Sequence, residues 1–281
     1  MAARTTSPWG TRLGFLALAA TALVTFFPIY WMLMTATMPT SLILARQPAL
    51  LPHPGLFSLD AFWGALARKP FLLWTLNSLI IAVASSAVSL FVAVLAGYSL
   101  SRWSFASQRL LAASLMLGKI LPASLVIIPF FVMFSVGGLL DSYGALVLAN
   151  VSTGVPLAAL LMKQFFDRVP RELDEAAMLD GCSRLTTLGR VVLPLVKPGL
   201  ASCSVYLLLM SWSEFLFART LISDVNKRVL TVGLQSFAGE YLVDWPALMA
   251  AATLTLVPII VLFIFLEPFL VSGATSGALS K

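Results

Sequence analysis

Residues able to carry reaction chemistry are scarce in this chain. There is one histidine, His53, and two cysteines, Cys182 and Cys203. They form neither a metal-ligand spacing nor a disulfide framework, so no metal site is expected. The sequence contains no H-E-x-x-H, no G-x-S-x-G and no G-x-x-x-x-G-K-[ST]. Metalloprotease, serine-hydrolase and P-loop ATP chemistry therefore lack their residues. What remains is ion-pair chemistry, and it is concentrated. The stretch Lys163–Lys197 holds six basic residues and five acidic ones: Asp167, Glu172, Asp174, Glu175 and Asp180. Two further charges, Lys119 and Glu214, stand inside apolar sequence. A charge at a bilayer centre costs about 2.5–3.5 kcal/mol on insertion scales, so such residues usually face a cavity or a partner.

The elements that must hold these groups are membrane spans. Of 281 residues, 59% are hydrophobic and 11% charged, against about 25% charged in a soluble domain. This excludes a water-soluble enzyme, a disordered chain and a nucleic-acid-binding domain, so no nucleic-acid partner is expected. The net charge of +6 reads as an orientation signal in a bilayer. A helix needs about 20 residues to cross the hydrocarbon. The long charge-poor intervals predict six transmembrane helices, at about 13–37, 74–100, 110–137, 144–163, 199–222 and 246–269. The fifth requires that Glu214 be tolerated inside. Helices suit these runs better than barrel strands, because backbone groups in lipid must be satisfied internally. The first run is too long for a signal-peptide h-region and is expected to stay. Residues 1–281 read as one membrane domain without linker or internal repeat. Pro122, Pro129 and Pro156 are expected to kink their spans and widen a central cavity. Trp31, Trp74, Trp103 and Trp245 read as interfacial anchors.

With the N-terminus inside, eleven Lys and Arg fall in inner loops and six in outer ones, with Lys119 in a span. The positive-inside rule thus places both termini in the cytoplasm. The outer segment after the first span holds Pro48, Pro52, Pro54 and Gly55, then a short interfacial helix capped by Ser58, with Phe62, Trp63 and Leu66 on its apolar side. The inner loop 164–198 reads as two short helices. The first opens at Pro170 with Glu172, Asp174 and Glu175 at its positive end, and stops at Gly181. The second is capped by Ser183 and ended by Pro194.

That loop runs Glu175-Ala176-Ala177-Met178-Leu179-Asp180-Gly181, nine residues, then Val191-Val192-Leu193-Pro194. It resembles the EAA loop of ABC-importer membrane subunits, and every spaced element of that pattern is present. Pro28-Ile29-Tyr30-Trp31-Met32, Asn77-Ser78-Leu79, Gly97-Tyr98-Ser99-Leu100-Ser101-Arg102, Leu121-Pro122, Ile128-Pro129-Phe130 and Trp212-Ser213-Glu214-Phe215 extend the likeness to the maltose-permease-like, carbohydrate-type family. The resemblance implies an all-α polytopic protein with the type I ABC importer transmembrane-domain fold. It implies a permease subunit, not an enzyme, in a bacterial-type plasma (inner) membrane. Substrates would be sugars or sugar-like solutes: disaccharides, oligosaccharides, polyols or glycerol-phosphate compounds. Implied partners are a separate ABC ATPase dimer that uses ATP and Mg, a second homologous permease subunit, an extracytoplasmic solute-binding protein and membrane lipid; no cofactor is bound by this chain.

In such importers the loop lies in a cleft on the ATPase and transmits its closure to the spans. The residue types suit that work. Ala176 and Ala177 permit close approach, Gly181 permits a sharp reversal, and Glu175 and Asp180 can pair with basic groups. Leu193 and Pro194 join the second helix to the fifth span. Two departures stand out. Ser213 occupies the place where the carbohydrate-type pattern has Asn, and the Gly-rich tail from Ser272 to Leu279 ends in Ser280-Lys281. Candidate residues of the substrate path are Asn77, Lys119, Asn150, Ser213 and Glu214; the alternative uses are helix–helix hydrogen bonding for Asn77, Asn150 and Ser213, snorkelling or a structural pair for Lys119, and a place near the inner leaflet or a structural polar contact for Glu214. The competing function is an ion-coupled secondary carrier, which needs intramembrane acids or paired broken helices. Only Glu214 offers itself for that.

Overall fold

A computed structural model of the chain describes residues 8–45, 51, 55–68, 70–104, 107–238 and 243–276. His53, Pro48, Pro52, Pro54 and the tail beyond residue 276 lie outside the described residues. Helices dominate, with one isolated β-bridge between Ala238 and Val243. In chain order they are α1 (Pro8–Thr37), α2 (Thr40–Ile43), α3 (Asp60–Arg68), α4 (Phe71–Arg102), α5 (Gln108–Ile120), α6 (Ala123–Val136) and α7 (Tyr143–Phe166). Then come α8 (Glu172–Leu179), α9 (Arg184–Thr187), a π-helical turn (Leu188–Val192), α10 (Leu193–Leu195), α11 (Lys197–Trp212), α12 (Leu216–Leu221), α13 (Leu230–Leu234) and α14 (Trp245–Ser276).

Among the described residues, four helices are long and apolar enough to cross a membrane alone: α1, α4, α7 and α14. They match the expected first, second, fourth and sixth spans within a few residues, apart from longer ends on α1 and α14. The expected third span is not one helix. It breaks at Leu121-Pro122, where α5 and α6 meet at 98°. A residue before proline is pushed out of the α region, and Leu121 is extended at φ −66°, ψ 126°. The expected fifth span is also divided. Helix α11 ends at Trp212, and residues 213–215 separate it from α12.

The chain forms two compact units. The smaller, Met1–Phe71 with Leu234–Leu256, contains α1–α3. Helix α3 begins as expected after Ser58, whose hydroxyl accepts the Asp60 N–H at 2.9 Å. The larger unit, Leu72–Gly233 with Val257–Lys281, carries every candidate site residue. Its core has two buried clusters. One joins α4, α7, the π turn and α11 through Tyr98, Met162, Phe166, Leu188, Val192 and Cys203. The other joins α4, α6, α7 and α12 through Ile81, Phe134, Leu146, Phe217 and Leu221. Packing of α4 on α7 is close at Gly97, where an added Cβ would lie 2.8 Å from the Ala159 carbonyl oxygen and 2.9 Å from the Lys163 nitrogen.

Trp74 is not an interfacial anchor. It is 1% exposed, and its indole N–H donates to the Val225 carbonyl at 3.0 Å. An indole that can reach a carbonyl acceptor inside the fold loses little by burial.

Candidate functional site

The EAA-like loop folds as a stiff hairpin. Helix α8 ends in a Schellman motif: Cys182 N–H donates to the Ala177 carbonyl at 3.0 Å and Gly181 N–H to that of Met178 at 3.1 Å. Gly181 takes φ +85°, the left-handed conformation that glycine adopts without steric cost. Ser183 then caps α9 by accepting the Thr186 N–H at 3.3 Å. Pro194 does not end the second helix. Helical turns run on to Leu195 and stop at Val196, where α11 departs at 87°. The π turn accommodates the proline: Leu193 N–H reaches back to the Leu188 carbonyl, so the ladder is already in a wider register when Pro194 removes a donor.

The hairpin presents one face outward. Glu175, Ala176, Asp180, Gly181 and Pro194 are exposed, and Leu193 is half-buried. Ala177 instead packs inward, so of the two alanines only Ala176 is free for close approach. Leu179 is 89% exposed and Leu185 72% exposed. Two exposed leucines on the same hairpin as the Glu175 and Asp180 carboxylates, which among the described residues form no ion pair, give it apolar and acidic parts together.

The opposite face is clamped to the end of α4 by a buried polar cluster. Tyr98 hydroxyl donates to Asp174 Oδ1 at 2.5 Å. Arg102 pairs with Asp174 Oδ2 at 3.0 Å, both side chains 7% exposed. The same guanidinium donates to the carbonyls of Phe166 and Val169, each at 3.1 Å. Arg171 adds a bond to the Ser101 carbonyl at 2.8 Å. Trp103, expected at the membrane interface, lies edge-on to Tyr98 at 5.9 Å and beneath the Arg184 guanidinium at 4.9 Å. Sequence reasoning missed this clamp. Asp174 was read as a charge for the helix N-terminus and Arg102 as an orientation signal. The available signal was spacing: Asp174 and Ala177 are three apart, one face of a helix, and both are buried.

A second site lies within the bundle. A cavity of about 540 Å³ is lined by α5–α7, α11 and the start of α12, including Lys119, Ser152, Thr153, Met210 and Glu214. It brings two of the expected path residues together. Lys119 Nζ is 4.0 Å from Met210 Sδ and 5.9 Å from the Tyr206 ring centroid. Glu214 is held otherwise: its two carboxylate oxygens accept the N–H groups of Phe217 at 2.7 Å and Ala218 at 2.9 Å. It therefore satisfies the first turn of α12, where orphan donors and the helix dipole favour an anion.

The other three path candidates are not among the residues lining this cavity. Asn77 is 2% exposed; its amide donates to the carbonyls of Asn226 and Arg228 and its oxygen accepts from Tyr143. Asn150 ties α7 to α11 through Ser211 Oγ at 2.8 Å. Ser213 is exposed, and its hydroxyl donates back to the Leu209 carbonyl at 2.7 Å. The bonds of Asn77 and Asn150 fasten helix to loop and helix to helix, and that of Ser213 closes on its own helix.

Residues 89–275 match the family described as binding-protein-dependent transport system inner membrane component. The chain belongs to this family. Among curated relatives it is 31% identical over 270 residues to the sulfoquinovosyl glycerol transport system permease protein SmoH of Agrobacterium fabrum, covering 96% of this chain and 94% of that one. It is 33% identical over 262 residues to the diacetylchitobiose uptake system permease protein DasC of Streptomyces coelicolor, covering 92% and 94%. A solved bacterial ABC transporter involved in import of the acidic polysaccharide alginate contains a chain of the same fold, with TM-score 0.78, 21% identity and coverage of 95% and 98%. The fold is thus that of a type I ABC importer permease, and the chain is a multi-pass inner-membrane transport subunit.

Proposed function

We propose that this permease imports sugars or sugar-like solutes, driven by a separate ATPase that grips the Glu175–Pro194 loop. The observation that carries the reading is the loop itself. Its outer face is exposed, apolar and acidic, while its inner face is fixed to α4 by the Arg102–Asp174 pair. A push on such a hairpin passes to α4 through the clamp, and to α7 and α11 through Leu188 and Val192, which share a core with them. A loosely tethered loop would dissipate the same push in its own motion.

In this reading the partner is an ABC ATPase dimer that binds ATP and Mg, since this chain has no phosphate-binding loop of its own. A second homologous permease completes the path, and a solute-binding protein delivers substrate from outside. Both termini face the cytoplasm, as the loop must. Residues 1–281 act as one transmembrane domain. The saccharide class is supported by relatives named for sulfoquinovosyl glycerol and diacetylchitobiose transport. Lys119 and Glu214 border the path, and the hydroxyls of Ser152 and Thr153 spend their hydrogens on helix carbonyls, leaving oxygen lone pairs for sugar hydroxyls.

Gly181→Asp tests the loop assignment. An added Cβ at Gly181 meets nothing within 4 Å, so the variant fits its own chain with about 1–2 kcal/mol of left-handed strain. It is expected to insert normally, yet to lose co-purification with the co-expressed ATPase and to lose uptake. Wild-type ATPase recovery with this variant would remove the loop from the contact.

A further inference from the structure

The cavity around Lys119 holds an ammonium that no carboxylate contacts among the described residues. Among the described residues no carboxylate lies within 4.0 Å of its ammonium; the ion pairs found are Arg102–Asp174 and Lys163–Asp167. Among the described residues, the acid in the cavity wall is Glu214, whose two oxygens accept backbone N–H groups of α12. The Lys119 ammonium stands by a thioether and an aromatic ring, which are weak partners for a cation. Lys119 is half-buried at the cavity wall, so its ammonium is open to an anion that enters the cavity. The cavity, about 540 Å³, is within the range that holds a small ligand, roughly 300–1,000 Å³.

We propose that Lys119 receives the anionic group of the transported solute, which makes the substrate an acidic saccharide carrying a carboxylate, sulfonate or phosphate. The inference rests on the importer reading given above. The ammonium takes the charged group as a charge-assisted hydrogen bond, while Ser152 and Thr153 oxygens stand on the α7 side of the same cavity for neutral hydroxyls.

The test uses the complete transporter, this chain with its co-encoded subunits, in proteoliposomes containing ATP. Labelled maltose, maltobionate, glucose 6-phosphate and cellobiouronate serve as probes. Wild type is expected to take up at least one acidic probe faster than maltose. Lys119→Met, which keeps the bulk of the chain, is expected to slow acidic uptake on the order of tenfold or more, and Lys119→Arg to retain most of it. Subunit recovery stays at wild-type level in both variants. If Lys119→Met moves the acidic probe at the wild-type rate, the proposal is wrong. It is equally wrong if that variant loses the second membrane subunit, for the lysine's anion is then on the partner. Should Lys119→Met not accumulate, a wild-type preference for maltose over every acidic probe still overturns the proposal. Absence of ATP-dependent uptake of every probe by wild type is a separate result: it removes the importer reading itself.

Discussion

Asp174→Asn probes the clamp between the loop and α4 with little change of shape. Asparagine keeps an oxygen for the Tyr98 hydroxyl but removes the charge opposite Arg102. Both side chains of the pair are 7% exposed, so solvent screens them little. Breaking one member of a buried pair costs about 3–5 kcal/mol, because the other charge is left uncompensated. Arg102 keeps two carbonyl acceptors, Phe166 and Val169, which places the expected cost near the lower figure, about 3 kcal/mol. That is on the order of a hundredfold in the local opening of α8. Hydrogen–deuterium exchange of the purified chain in lipid nanodiscs reads it directly. The amides of Glu175 and Asp180, which donate within the helix, should lose about two orders of magnitude of protection, while those of α11 stay unchanged. The pair Arg102→Met with Asp174→Leu should restore most of the protection, since apolar replacement of a buried ion pair is often neutral or better. Unchanged α8 protection in Asp174→Asn would refute the clamp.

Two further outcomes test the packing and the outer turn. Gly97→Ala places a methyl group against the α7 backbone and should destabilise the α4–α7 contact by about 1–3 kcal/mol, measured as a lower denaturation midpoint in detergent. Asp141, at φ +56°, accepts the N–H groups of Asp224 and Ser223, and these bonds, with Lys227 adding a smaller part, hold its carboxyl below the usual aspartate range. A depressed folded pKa gives stabilisation that is complete above the ordinary aspartate value and is lost as pH falls through the folded one. Protection of the Ser223 and Asp224 amides should therefore drop below about pH 4, and Asp141→Asn should abolish that pH dependence.

The long spans were legible because one property sets them: an apolar run bounded by charge. The breaks were harder. Leu121-Pro122 carries a readable signal, the restriction before proline, but a kink and a 98° turn look alike in sequence; only the packing of α5 on α7 and of α6 on α12 separates them. At Ser213–Phe215 the acid signals the break. Glu214 was weighed as a charge in a span, whereas its carboxylate starts a new helix. In the loop, Gly181 and Ser183 work through bonds to residues a few positions away, so their roles could be read locally. Pro194 misled for the same reason: its usual effect is local, and the π turn upstream absorbs it. Tyr98, Arg102 and Asp174 meet across some seventy positions of sequence. No periodicity announces such a contact, although the Gly97–Arg102 segment was already among those marking the family likeness. Trp74 shows the limit of composition, since an indole near a span end serves equally at a lipid interface or against a carbonyl.

The central claim is that ATP hydrolysis by a partner, transmitted through the α8–α9 hairpin, drives import. Uptake by vesicles containing this chain with its co-encoded subunits tests it most directly. The account predicts that labelled saccharide accumulates only when ATP is supplied on the ATPase side, that ionophores collapsing proton and sodium gradients leave the rate unchanged, and that Gly181→Asp abolishes it. Accumulation without ATP that disappears with the ion gradient would contradict the account and identify an ion-coupled carrier.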